Sequence, residues 1–418
     1  MKKCLTFAAI AALVLAASCA KNVDLAPTEV TPHAIGFSNY TPKSLTKAND
    51  TYVASTTLVS GKHFAVYAWQ TNYGVFLTAD PSNPTFMNPA DVTYSGDETD
   101  GDGNTYSPMR YWPSGDSPAN LSFTAYYPYG GAGITAPTFA TGVGTYAFAA
   151  QATSAAMVDF CVADVVNDQV YGSTNASPTY PSTVKFNFKH QLAKVQFQFK
   201  KATGLGATTV IELVEAQLVN IKTNGTLSAT YTQNASPAVN AQGTTATTWS
   251  ARAKAGTPIT YDVTLNQVNP NPGTPTVVVL TESLSTVHQD DIFLMVPQTM
   301  VVAGDLDEDS GAACTAADEQ KLVVTWNVKV YDTESNATAN ASNVVGTGGL
   351  QSMTTNTATL SFKNDLKTSD SVDTPVAAIN WAKNSFTTYK ITIGPKPIWF
   401  TAEVTPWASE TSGYFNVN

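Results

Sequence analysis

In one short segment after another, apolar and polar side chains alternate residue by residue. Val184-Lys185-Phe186-Asn187-Phe188-Lys189 and Val195-Gln196-Phe197-Gln198-Phe199 are the strictest cases. Phe64–Trp69 and Leu121–Tyr127 repeat the pattern with more aromatic weight. Successive side chains of a strand point to opposite faces, so a period of two puts one row into a core and the other outward. Further strands are expected at Ile211–Val219, Ile259–Leu265, Val277–Leu280, Ile292–Val296, Leu322–Val330, Ala358–Phe362, Tyr389–Ile393 and Ile398–Val404. Helical periodicity is almost absent. Many short strands at hairpin spacing predict an all-β chain of sandwiches. The Thr-, Asn- and Ala-rich stretches Gln233–Gly256, Asn266–Pro275 and Thr333–Asn356 read as loops or irregular insertions.

Composition agrees. Of 418 residues only 13% are charged, while 10% are aromatic. About one residue in seven is Thr, a strand-favouring type. The net charge of −10 excludes nucleic acid as a partner, because that partner requires a basic surface. No fixed repeat recurs, which excludes solenoids and propellers.

The N-terminus reads as an address. Lys2 and Lys3 precede an apolar run from Leu5 to Ala17, too short to span a bilayer. The run ends Leu15-Ala16-Ala17-Ser18-Cys19, which resembles a bacterial lipobox. The resemblance implies cleavage before Cys19 and acylation of its thiol, which would hold the protein at a membrane without a span. The alternative is an ordinary secretory signal. Cys4 leaves with the signal, so Cys161 and Cys314 remain. Both are expected to be free and buried, although one disulfide is open to them. Residues 20–50 read as a tether holding one strand at Ala34–Phe37.

No catalytic set is present. His33, His63, His190 and His288 lack ligand spacing, and no nucleophile, zinc or phosphate motif occurs. His190 is expected to be a hydrogen-bonded structural residue. No cofactor is expected. Two acidic runs are calcium candidates, Asp100, Asp102 and Asn104 in one and Asp305, Asp307 and Asp309 in the other. Alternation lets a loop curl oxygens around a hard cation, but both lack the sixth-position Gly and twelfth-position Glu of the helix-flanked loop. A solvated turn is the competing reading. Tyr106, Tyr111, Trp112, Tyr126, Tyr127 and Tyr129 could stack on sugars or pack a core, and core packing is favoured. Asp370-Ser371-Val372 resembles a short O-glycosylation acceptor.

A family is carried by motifs in order. After the lipobox come Ile35-Gly36-Phe37-Ser38, Thr46-Lys47-Ala48, Phe64–Trp69, Arg110-Tyr111-Trp112-Pro113 and Leu121–Pro128. Then follow Phe188-Lys189-His190-Gln191-Leu192-Ala193-Lys194-Val195, Tyr389–Ile393 and Val404-Thr405-Pro406-Trp407. Their succession resembles the Bacteroidales fimbrillin family, the type V pilins. The resemblance implies two transthyretin-like β-sandwich domains in tandem after a lipoprotein signal. On that basis residues 1–18 are the signal, 19–50 a tether or propeptide, 51–180 the N-terminal sandwich and 181–418 the C-terminal one. It also implies an outer-membrane lipoprotein precursor whose first strand is removed by a trypsin-like protease. The emptied groove is then filled by a strand from a neighbouring subunit, exchange of main-chain hydrogen bonds and apolar side chains.

The arginines of this chain are Arg110 and Arg252 alone, so the candidate processing site is Lys47. The candidate donor strand is Tyr414, Phe415 and Val417. The implied partners are other pilin subunits, the outer membrane through a lipid, and surface glycans or proteins. The alternative is a tip adhesin or glycan-binding surface lipoprotein that does not polymerise.

Overall fold

The computed structural model describes residues 34–40, 63–71, 84–94, 104–113, 120–150, 157–169, 183–235, 242–254, 259–261, 278–283, 285–286, 292–341, 348–367, 379–394 and 399–406. The first half of the chain supplies β1 (Gly36–Tyr40), β2 (His63–Thr71), β3 (Met87–Thr93), β4 (Asn120–Tyr127), β5 (Thr138–Ala140), β6 (Val143–Ala149), β7 (Cys161–Ala163), β8 (Val166–Gln169), β9 (Thr183–His190) and β10 (Ala193–Lys201). The second half supplies β11 (Thr209–Val219), β12 (Lys222–Thr232), β13 (Thr244–Lys254), β14 (Ile259–Tyr261), β15 (Val278–Val279), β16 (Ser285–Thr286), β17 (Ile292–Met295), β18 (Lys321–Tyr331), α1 (Glu334–Ala341), β19 (Leu350–Ser361), β20 (Ser385–Ile393) and β21 (Trp399–Pro406). The chain is therefore all-β, with packed sheets as the alternation predicts.

The first sheet runs β1-β9-β7-β4-β2-β3, with β8 beside β4. In β9 the alternation works as read: Val184, Phe186 and Phe188 are fully buried and Lys185 is exposed. These rings join Phe64, Phe123, Tyr127 and Val166 in one apolar cluster, covered by Met87, Val92, Tyr94, Tyr106 and Trp112. The sheet's other face is also covered. Tyr67 and Trp69 meet the Phe139 ring edge-on, at 4.8 Å and 5.0 Å. Tyr126 meets Tyr146 at 5.5 Å. Those partners come from a second sheet, β13-β12-β6-β5. Cover on both faces explains why every residue of β4 is buried.

Two further sheets, built on β16-β10-β20-β21 and β14-β11-β18-β19, form a sandwich. β10 and β20 run parallel, with Phe197 opposite Tyr389 and their rings stacked at 5.3 Å. The core between these sheets is continuous with the second face of the first sheet: one cluster runs from Tyr67 and Trp69 through Trp249 to Trp381 and Tyr389. Besides β1 with β9, two more pairings link residues on either side of position 180. β9 pairs with β7, and β12 with β6.

Two stretches expected to be loops hold strands instead. β13 lies in the second half of Gln233–Gly256, and α1 with β19 lies within or across Thr333–Asn356. Both strands are sheet edges, and few of their side chains are buried. Main-chain bonds to β12 and β18 hold them, so no apolar row is required.

One buried polar pair lies at the centre of this core. The Trp381 indole N–H donates to the Tyr389 hydroxyl at 2.9 Å, with both residues at most 1% exposed. Tyr389→Phe is expected to leave that donor without its acceptor and to cost about 1–3 kcal/mol in urea unfolding. An unchanged midpoint would contradict this.

Candidate functional site: an edge strand seated among aromatic rings

β1 is the outermost strand of the first sheet. Its sequence alternates, and so does its burial: Ile35 and Phe37 are 1% and 0% exposed, while Gly36 and Ser38 are half-buried. It pairs parallel with β9, Phe37 opposite Val184 and Asn39 opposite Phe186. The Phe37 ring lies 5.3 Å from Tyr106, 5.9 Å from Phe186 and 6.1 Å from Phe123. Burying two such side chains contributes about 1.5–3 kcal/mol each.

The far side of the strand is held as well. The Ile35 N–H donates to the Arg110 carbonyl at 3.0 Å. The Tyr106 hydroxyl donates to the Ile35 carbonyl at 2.8 Å, and the Asn104 side-chain amide donates to the Phe37 carbonyl. The segment supplying these groups is tied to β3 through Thr93 and Thr105, which exchange hydrogen bonds of 2.8 Å and 3.0 Å. Thus β1 occupies a slot between β9 and residues 104–111, with an aromatic floor. Burial pushes the Tyr106 phenol above its ordinary pKa, partly offset by its hydrogen bond to Arg110. It stays a neutral donor to the strand.

The predicted site residues fall out as follows. Cys19, Lys47, Asp100, Asp102, Tyr414, Phe415 and Val417 lie outside the described residues, as does Asp370-Ser371-Val372. Asn104 serves the β1 slot. The second acidic run turns its carboxylates on cationic side chains. Asp305 meets Lys363 at 2.6 Å, Asp307 and Asp309 each meet Lys222 at 2.7 Å, and Glu308 meets Arg252 at 2.8 Å. Asp307 also accepts from the backbone amides of Asp309 and Ser310 at 3.0 Å and 2.9 Å. This is a folded turn that clamps the start of β12 and the end of β13. Among the aromatic candidates, Tyr106, Trp112, Tyr126 and Tyr127 are buried and Tyr111 is exposed. Cys161 and Cys314 are both free and buried. His190 donates to or accepts from Asp159 at 2.7 Å inside the core.

The fold and the slot define a β-sandwich protein with a peripheral N-terminal strand held in an aromatic groove. A model of the fimbrillin-like family matches residues 46–407, and the chain belongs to that family. No curated protein sequence matches the chain. A fimbrial protein from Bacteroides vulgatus is similar in fold, at 17% identity and a TM-score of 0.56, covering 90% of this chain and 99% of that one. A Bacteroides uniformis protein assigned to cell adhesion aligns at 14% identity and a TM-score of 0.39, covering 90% of this chain and 98% of that one. A tip fimbrial protein from Porphyromonas gingivalis aligns at 10% identity and a TM-score of 0.33, covering 88% of this chain and 99% of that one. No described helix is long and apolar enough to cross a membrane.

Proposed function

We propose that this protein is a structural subunit of a cell-surface fimbria, carried to the outer membrane as a lipoprotein acylated at Cys19 and assembled by strand exchange. β1 is the strand that leaves, after cleavage at Lys47 separates it from the body. The segment bearing Tyr414, Phe415 and Val417 is the strand that enters a neighbour's slot. The observation that carries this reading is the seat of β1. A five-residue edge strand is bound by alternating pockets and main-chain bonds, the two components of strand addition. Its departure would uncover Tyr106, Phe123 and Phe186, an apolar slot strongly driven to refill.

The test uses the full mature chain and a lysine-cleaving protease. Cleavage after Lys47 is expected to give a ladder of oligomers on unheated gels, and Lys47→Gln to suppress it. Monomers that persist after mapped cleavage at Lys47 would overturn assembly by release of β1.

The second reading is a tip adhesin that keeps β1. It is favoured by the lack of any arginine between β1 and β2. Its signature would be uncleaved protein at the fimbrial tip and binding on a glycan array.

A further inference from the structure

The clustering of Asp159, Cys161 and His190 is unrelated to the β1 slot. Cys161 and His190 are direct partners across β7 and β9, and Asp159 stands two residues before Cys161. All three are at most 1% exposed. The Cys161 Sγ lies 3.5 Å from His190 Nδ1 and 3.6 Å from Asp159 Oδ2, and His190 Nδ1 lies 2.7 Å from Asp159 Oδ2. The surrounding residues are apolar: Cys161 belongs to the cluster with Phe188 and Tyr127, and neighbouring Phe160 to the other core.

A thiol, an imidazole and a carboxylate converging in a dry interior call for an explanation, because buried polar groups are costly unless satisfied. The hydrogen bond between His190 and Asp159 satisfies one atom of each. It does not satisfy Asp159 Oδ1, which is buried and has no hydrogen-bond partner. We infer that these three residues form a binding site for a divalent transition metal, with Zn²⁺ the ion that fits the donor set. Cys161 Sγ, His190 Nδ1 and Asp159 Oδ2 are the ligands, and a metal-bound water in the fourth tetrahedral position would donate to Asp159 Oδ1.

Two considerations support this. The first is spacing. Tetrahedral zinc with ordinary bond lengths places its sulfur about 3.6 Å from a nitrogen or oxygen ligand, and nitrogen about 3.4 Å from oxygen. The two sulfur separations already match. Only the His190–Asp159 contact must open, by a small rotation of the carboxylate. The second is charge. A thiolate and a carboxylate carry two negative charges, so a divalent ion leaves the buried cluster neutral, and burial then demands no isolated charge. Metal binding would displace the Cys161 proton to solvent, and His190 would ligate as the neutral imidazole with its proton on Nε2.

The test is refolding of the untagged full mature chain from urea with Co²⁺. The expected result is a thiolate-to-cobalt charge-transfer band with tetrahedral visible bands, saturating at about one equivalent. Refolding with Zn²⁺ should retain about one zinc per chain through dialysis, by elemental analysis. Cys161→Ser is expected to abolish the charge-transfer band and Cys314→Ser to leave it intact. Asp159→Asn should weaken binding by about tenfold or more. The wild-type measurement decides the matter without any variant. A correctly refolded chain with no charge-transfer band and no retained zinc would overturn the site, as would a band lost in Cys314→Ser and kept in Cys161→Ser.

Discussion

Phe37→Ala is expected to lower the stability of the unprocessed chain by about 3–5 kcal/mol, the range for truncating a well-packed buried Phe. The ring is fully buried and meets Tyr106, Phe123 and Phe186. Those three belong to the core of the first sheet, so removing the ring opens a cavity within that core. Urea unfolding of wild type and variant, at constant m-value, measures the loss. Ser38→Ala on the same strand is half-buried and should fall within about 0.5 kcal/mol of wild type. If Phe37→Ala matched Ser38→Ala, β1 would be a dispensable appendage and its seat would have no energetic meaning. Under the strand-exchange proposal the same variant should also release its N-terminal segment faster after cleavage at Lys47.

Lys222→Met is the second large effect. The Lys222 side chain is 6% exposed, and its ammonium sits 2.7 Å from both Asp307 and Asp309. Removing it leaves Arg252 as the cation facing Asp309 and none facing Asp307 among the described ion pairs. Breaking a buried pair by deleting one partner costs about 3–5 kcal/mol. The pH dependence identifies the cause. Burial raises the Asp307 and Asp309 carboxyls, yet the hydrogen bonds from Lys222, backbone amides and Arg252 outweigh it and hold both below the ordinary carboxylate range. A carboxyl depressed by folding adds stability that is fully present above its unfolded pKa, about 3.9 for Asp, and is lost as pH falls through the folded value. Wild type should therefore weaken on acidification below about pH 4. In Lys222→Met protonation relieves the unpaired carboxylates, so the gap between the two proteins should narrow as pH falls. A gap constant with pH would assign the loss to packing of the lysine stem instead.

Much of the architecture was legible because burial and strand period coincide. In β9 and β10 the apolar row is unbroken, and each strand forms within a few residues of its expected limits. β13 and β19 were not legible, for the converse reason. Of the eleven residues of β13 only Thr245 and Trp249 are buried, so hydrophobic alternation carries no signal there. The candidate site divides the same way. Ile35 and Phe37 could be read as a strand, but their seat is built by Tyr106, Phe123 and Phe186, which only the fold brings together. The acidic run Asp305–Asp309 shows alternate oxygens and conceals its partners, since Lys222 and Arg252 lie far away in the chain. The cluster at Asp159, Cys161 and His190 left no trace in spacing either, because a cross-strand pair joins residues that no local motif connects.

The apolar cluster that runs unbroken from Tyr67 and Trp69 to Trp381 and Tyr389 has a mechanical meaning. A chain of two separate cores would yield under tension at whichever was weaker. Here all four described sheets contribute to that cluster, so a pull on one draws on contacts with the others, while β1 is seated in the separate cluster on the first sheet's other face. Yielding then begins at the periphery, where a strand is attached along few residues. β1 is such a strand, five residues long and at the end of its sheet, and it is the piece that the strand-exchange proposal has this body surrender.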